Sequence, residues 1–342
     1  MTRVGRALAA LRRRGDEEAG GRTARTRGRT TAALAVVAAA LPALHSLVPG
    51  ALGLGSLLET FLPWTGPAVL VLSAVALLRR SVLARVALLL PSAAWLGLFH
   101  GVLLPGGPEP APGAAVLTVV QHNVSDVNPD PRAAARALAG AGADLVALEE
   151  VVPGARPAYE AELSPSLPHR AVVGTVGLWS RYPLTDVRPL DIRPEGVGPG
   201  WSRGLRATAR TPHGDIAVHV VHLPSVRLRA TGFDTERRDG SARLLGAALR
   251  AEALPRVLVL GDLNGTLDDR GLAPVLDRLG APDAGAADGF SFSWPASFPA
   301  ARIDHVLARG ATVVRLRTLP ATGSDHLPVV ARVALPQLAG EP

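Results

Sequence analysis

"VLVLGDLNGTLDD" (257–269) drives an apolar strand straight into Gly261, Asp262 and Asn264. Burying an unpaired carboxylate or amide is costly, so a strand ending this way implies that something at its end satisfies those groups. Val257 to Leu260 read as a buried rail, Asp262 and Asn264 as sheet-edge residues, and Asp268 and Asp269 as a solvated helix start. The same logic extends in both directions along the chain. Apolar runs at 115–124 and 143–151, and further strands expected at 171–179, 204–210, 216–222, 303–307, 312–316 and 328–334, alternate with helical stretches at 130–142, 235–253 and 271–279. Strands alternating with helices and hairpins predict a layered α/β domain over residues 115–337.

The 342 residues are not uniform. Residues 1–30 hold nine Arg against Asp16, Glu17 and Glu18, a charge of +6 out of a total of +7. From Ala114 onward there are 24 Arg and 24 Asp plus Glu, so that part is formally neutral, unlike the basic domain of most nucleic-acid binders. There is no Cys, which excludes disulfides and thiolate chemistry.

Three stretches, about 31–49, 60–78 and 82–104, are apolar and of membrane-spanning length, and Arg85 is the single charge in the third. A cleaved signal peptide is the alternative for the first, although two further stretches follow it. The positive-inside rule puts the Arg-rich tail and the turn at Arg79 and Arg80 in the cytoplasm. Three crossings then leave the C-terminal domain outside the cell membrane. "PGGPEPAPG" (105–113) predicts a Pro- and Gly-rich linker over 105–114.

Polar residues recur at the ends of the apolar strands: Asn123, Glu150, His222, Asp262, Asn264, Asp304, Asp325 and His326. Taken singly, each has an ordinary role as a cap, a turn or a structural acceptor. Strand ends in layered α/β folds converge on one edge, where ligands bind. Carboxylates and amide oxygens without Cys suit a hard cation, Mg²⁺ or Mn²⁺. With two histidines added, the chemistry best served is attack of water on a phosphate ester or anhydride.

"QHNV" with Asn123, "DLVALEEV" with Glu150, "VVHLPS" with His222, "GDLN" with Asp262 and Asn264, "RIDHVL" with Asp304, and "GSDHLPV" with Asp325 and His326 resemble the endonuclease/exonuclease/phosphatase (DNase I-like) superfamily, in its order, across residues 115–335. "GLWSRYPL" (177–184) also resembles one of its segments. With the apolar N-terminus, the chain resembles an actinobacterial membrane-anchored branch of that superfamily. The resemblance implies a four-layer α/β sandwich, two packed β-sheets flanked by helices, preceded by three transmembrane helices. It also implies a Mg²⁺-dependent phosphodiesterase or phosphatase. Asn123, Glu150 and Asp325 would hold the metal. Asp262 and Asn264 would orient water and phosphate, and His222 would contact the phosphoryl group. His326, paired with Asp304, would be general base or charge stabiliser. Where the family has Gln before the metal-binding Glu, this chain has Glu149, and strand alternation lets only one of Glu149 and Glu150 face inward.

Arg227, Arg229, Arg237 and Arg238 follow the His222 motif closely and suit a second phosphate or an anionic headgroup. The expected substrate is a membrane lipid or lipid-linked (polyprenyl) phosphate or pyrophosphate. An extracellular nuclease and a catalytically inactive phosphate-binding module are the alternatives.

Overall fold

The computed structural model describes residues 26, 28–104, 106–230, 232–279 and 284–336; the Arg-rich tail lies almost wholly outside them. The chain divides into two units, residues 1–48 with 61–100, and residues 49–60 with 101–342.

In the first unit the expected spans are only partly realised. Val82–Leu103 is long and apolar enough to cross a membrane. The first stretch is helical only over Gly28–Ala43, shorter than expected, and gives way to a 3₁₀ turn at His45–Leu47. The second is interrupted before Pro63, a residue that cannot donate a helical hydrogen bond, and resumes as the helix Thr65–Leu78.

The second unit carries the two sheets. One has the order β12 (Thr312–Thr318), β13 (Val329–Leu335), β1 (Ala115–Asn123), β2 (Leu145–Glu149), β4 (Val176–Ser180), β3 (His169–Val173). The other runs β11 (Asp304–Arg309), β10 (Val257–Asp262), β7 (Gly214–His222), β6 (Gly204–Thr211), β5 (Leu184–Pro189). A small hairpin, β8 (Arg227–Arg229) and β9 (Gly232–Asp234), follows β7.

The facing sides of the sheets bury Val119, Leu145, Leu178, Val218, Leu258, Val329 and Val333 in one core. On the outer face of the first sheet, Leu138 and Tyr159 of the helices Pro131–Ala139 and Arg156–Leu163 pack on Val146 and Trp179. On the outer face of the second, Leu245 of Glu236–Ala251 and Val275 of Ala273–Leu279 pack on Val257 and Val259. The four layers expected from the sequence are therefore present.

β1 runs parallel to β2, and β7 parallel to β10, so the carboxyl ends of each pair fall together. Gly261 makes this possible in the opening stretch. At φ +154° it passes so close to the carbonyl of Val221 that a Cβ would collide with it. Asp262 then stands in register with His222 on one side and Asp304 on the other.

Candidate active site

Three of the expected residues thus form one row across the second sheet, His222, Asp262 and Asp304, fixed by register rather than by loops. His326 closes over the row from the segment before β13. Its Nδ1 lies 2.8 Å from Asp304 Oδ2, and its Nε2 lies 3.8 Å from Asp262 Oδ2. Ser324 secures this turn by accepting from the His326 backbone N–H and donating to the Asn123 carbonyl. Asp262, Asp304 and His326 are all buried and offer ligand atoms within 4.8 Å of one another.

From the first sheet, Asn123 Nδ2 donates both to Glu150 Oε1 (3.2 Å) and to Asp262 Oδ2 (3.1 Å), tying the two sheets together. His222 Nε2 lies 3.6 Å from Asp262 and 3.8 Å from Glu150. Asn264 takes a left-handed φ of +48°, with its N–H donating to Asp262 Oδ1 and its Nδ2 to the Leu223 carbonyl. Asp325 is exposed beside His326, and its backbone carbonyl accepts from Ala296.

The expectation that only one of Glu149 and Glu150 faces the site is corrected. β2 ends at Glu149, and Glu150 has φ +59°, outside extended geometry, so the alternation of side chains stops between them. Glu149 is fully buried, and its Oε2 accepts from Gln121 Nε2, which also donates to Asp304. Its Oε1 has no hydrogen-bond partner among the described residues. Glu150 turns back to Asn123 and the Asp126 N–H.

Burial sets the protonation pattern. It raises the Glu149 carboxyl well above its usual range, helped by nearby Asp304. It also pushes Asp262 up to about 7, against the attraction of His326. Burial opposes charge on the Asp304–His326 pair too, but there the mutual attraction wins: Asp304 falls to about 2 and His326 rises to about 10. His326 is therefore an imidazolium at neutral pH. His222 is held well below its usual range by burial and by Arg203, and is neutral.

The arginines divide. Arg227, Arg229 and Arg237 line a cavity of about 200 Å³ together with Trp201, Arg203 and Asp234. Arg229 is paired with Asp234 at 2.9 Å. Arg203, which the sequence reading passed over, has Nη1 3.2 and 3.3 Å from the two ring nitrogens of His222, and its guanidinium lies over Trp201. The signal for it was the β6–β7 hairpin, whose register places residue 203 opposite His222. Arg238 is absent from the cavity wall. It is buried, with Nη2 2.9 Å from Asp269 Oδ2 and Nη1 donating to the Asn264 carbonyl. Asp269 is likewise buried rather than solvated: it starts the turn Arg270–Leu272 as expected, accepting from Gly271 N–H, but inside the protein.

Residues 114–326 match the Endonuclease/Exonuclease/phosphatase family, and the chain belongs to that family. Solved structures share the fold at low identity. A doubly substituted beta toxin from Staphylococcus aureus with bound magnesium ions has a TM-score of 0.52 and 15% identity, with 65% of this chain and 100% of that one covered. A family protein from Bacteroides thetaiotaomicron has a TM-score of 0.52 and 15% identity, covering 66% and 99%. A humanized D. rerio TDP2 has a TM-score of 0.50 and 17% identity, covering 64% and 98%. No curated protein matches the chain.

Proposed function

We propose that this protein is a divalent-metal-dependent phosphoric ester or anhydride hydrolase, anchored in the cell membrane with its catalytic domain on the outer face. The observation that carries the reading is the row His222, Asp262, Asp304 with His326 above it, opening beside an arginine-lined cavity. Three buried carboxyl groups, Glu149, Asp262 and Asp304, face a single imidazolium, so the donor set fits a hard cation. Glu150 and Asp262, which converge on the Asn123 amide, would hold it, with Asp325 alongside. A bound Mg²⁺ or Mn²⁺ supplies charge neutralisation at the phosphoryl oxygens and a more acidic water.

The chain's own groups divide the remaining work. Asp262, a carboxylate once a cation is bound, orients the attacking water. His326, whose charged form its neighbouring carboxylates favour, donates to the developing negative charge; Asp304 fixes its orientation. Asn264 directs water and phosphate. His222 and Arg203 meet the phosphoryl group from the other side, and Arg227 and Arg237 favour a substrate with further negative charge.

The apolar helices, above all Val82–Leu103, and the resemblance of an apolar N-terminus followed by this domain to the branch that includes the vancomycin/teicoplanin resistance protein VanJ support a lipid-linked phosphate or pyrophosphate as substrate. Formal neutrality of residues 114–342 weighs against a nuclease. The test is a panel of polyprenyl pyrophosphate, polyprenyl phosphate and DNA, given to the full-length protein with Mg²⁺. Phosphate release from the lipids is expected. Hydrolysis of DNA alone would favour the nuclease, and hydrolysis of none of them the binding module.

A further inference from the structure

Residues 49–60 lie in sequence between two apolar helices, yet they fold with the catalytic domain. In the short helix Leu54–Thr60, Ser56 and Glu59 are buried. The Glu59 carboxylate accepts from the Arg270 backbone N–H (3.1 Å), from its Nε (3.0 Å) and from its Nη2 (2.7 Å). The Glu59 carbonyl accepts from Thr266 Oγ1. Ser56 Oγ donates to Asp269 Oδ1 at 2.9 Å, and Asp269 in turn pairs with Arg238, whose Nη1 reaches the Asn264 carbonyl at 3.0 Å. The loop 263–272 is thus gripped at Asn264, Thr266, Asp269 and Arg270. Gly265 has no Cβ because the Arg238 guanidinium occupies that place.

Asparagine enters the left-handed region more readily than other side-chain-bearing residues, so what the grip adds is the placement of the Asn264 loop rather than relief of a forbidden backbone. The side chain it carries is the one that directs water and phosphate. We infer that Ser56 and Glu59, acting through Asp269, Arg238 and Arg270, are positioning residues of the active site: the segment between the first two apolar stretches holds Asn264 in its catalytic conformation. A chain of hydrogen bonds and one ion pair through a buried arginine is suited to this, because a guanidinium can hold several acceptors in one plane. The role in turnover rests on the hydrolase reading; the grip on the loop does not.

Two measurements on the full-length protein test it. The first is amide hydrogen exchange in Glu59→Gln, Ser56→Ala and the parent. Faster exchange over 263–272, with β1, β7 and β10 unchanged, is expected. Unchanged exchange in that loop would overturn the grip whatever the activity. The second is a double-mutant cycle with Asn264→Gly, which keeps the left-handed backbone accessible. Glu59→Gln should lower kcat on the order of 10-fold with KM nearly constant, since small misplacements in an active site are costly. It should lower kcat no further in the Asn264→Gly background. Equal losses in both backgrounds would contradict action through Asn264. A parent inactive on every substrate would sink the hydrolase reading and the role in turnover, leaving the exchange result to judge the grip.

Discussion

Two clusters of buried charge, one on β6 and β7 and one where the ends of the two sheets meet, are built in opposite ways. On β6 and β7, Arg206 Nε meets Glu252 Oε2 at 3.0 Å and its Nη2 meets Oε1 at 3.1 Å; His219 Nε2 lies 3.4 Å from the same carboxylate. The two buried charged side chains are 6% and 4% exposed, one cation for one anion, with the exposed Asp186 also 3.6 Å from Arg206, and burial lowers the pKa of His219. Where the ends of β2 and β10 meet the start of β11, Glu149, Asp262 and Asp304 share His326, and Glu149 retains an oxygen without a hydrogen-bond partner among the described residues. In the balanced cluster the two opposite charges meet each other directly. The unbalanced one reaches neutrality only by keeping protons on Glu149 and near Asp262, which is where a cation and a phosphate would act. Charge balance, more than burial or residue type, separates the structural cluster from the site.

The comparison breaks most visibly at Asp262. Asp262→Ala should lower turnover on the order of 10³-fold, about 4 kcal/mol of barrier, if it holds the cation and orients the water as proposed. Its thermal midpoint should not fall, because it removes excess buried negative charge; steady-state kinetics and a melting curve on the same sample check both. Arg206→Met should behave inversely, with kcat unchanged and unfolding easier by about 3 kcal/mol, since Glu252 is left buried without its partner. Denaturant titration measures that loss, and a stable Arg206→Met would show the two clusters to be alike.

Smaller effects come from pH. Asp262 must lose its proton to bind a cation, so Mg²⁺ affinity should fall by about tenfold per unit as pH drops below about 7, with proton uptake in calorimetry on metal release. A flat affinity between pH 6 and 8 would remove Asp262 from the metal shell. The balanced cluster acts on stability instead. His219 has a depressed folded pKa, so its neutral form is favoured by folding; that contribution is present above about 6.5 and lost as pH falls through the lowered value. Replacing His219 by Phe should flatten the stability profile below pH 6.5 and leave the activity profile unmoved.

Sequence reached far into this arrangement where register does the work. Alternating apolar runs ending in polar residues placed Asn123, His222, Asp262 and Asp304 on one edge, and parallel pairing of β1 with β2 and β7 with β10 put them there. It failed where local backbone geometry or long-range pairing decides. The expected strand 171–179 is a hairpin, because Gly174 at φ +57° turns the chain inside an apolar run. β5 went unseen, its residues half-buried or exposed without alternation. Glu150 leaves the strand through a positive φ that no pattern announces. Arg238 stands beside Arg237 in sequence, whereas the rotation of about 100° per helical residue and a buried acid, Asp269, take it away from the cavity. Ser56 and Glu59 gave no signal, being set among apolar residues some 200 positions before the loop they hold.

The central claim is that the unbalanced cluster is a cation-dependent phosphate-hydrolysing site. The most direct measurement is phosphate release by the full-length protein in vesicles containing polyprenyl pyrophosphate, before and after chelation of divalent metal and on adding Mg²⁺ back, in parallel with Asp262→Ala. Release should stop on chelation, return with Mg²⁺, and remain at background in Asp262→Ala throughout. Release that survives chelation, or that persists undiminished in Asp262→Ala, would contradict it.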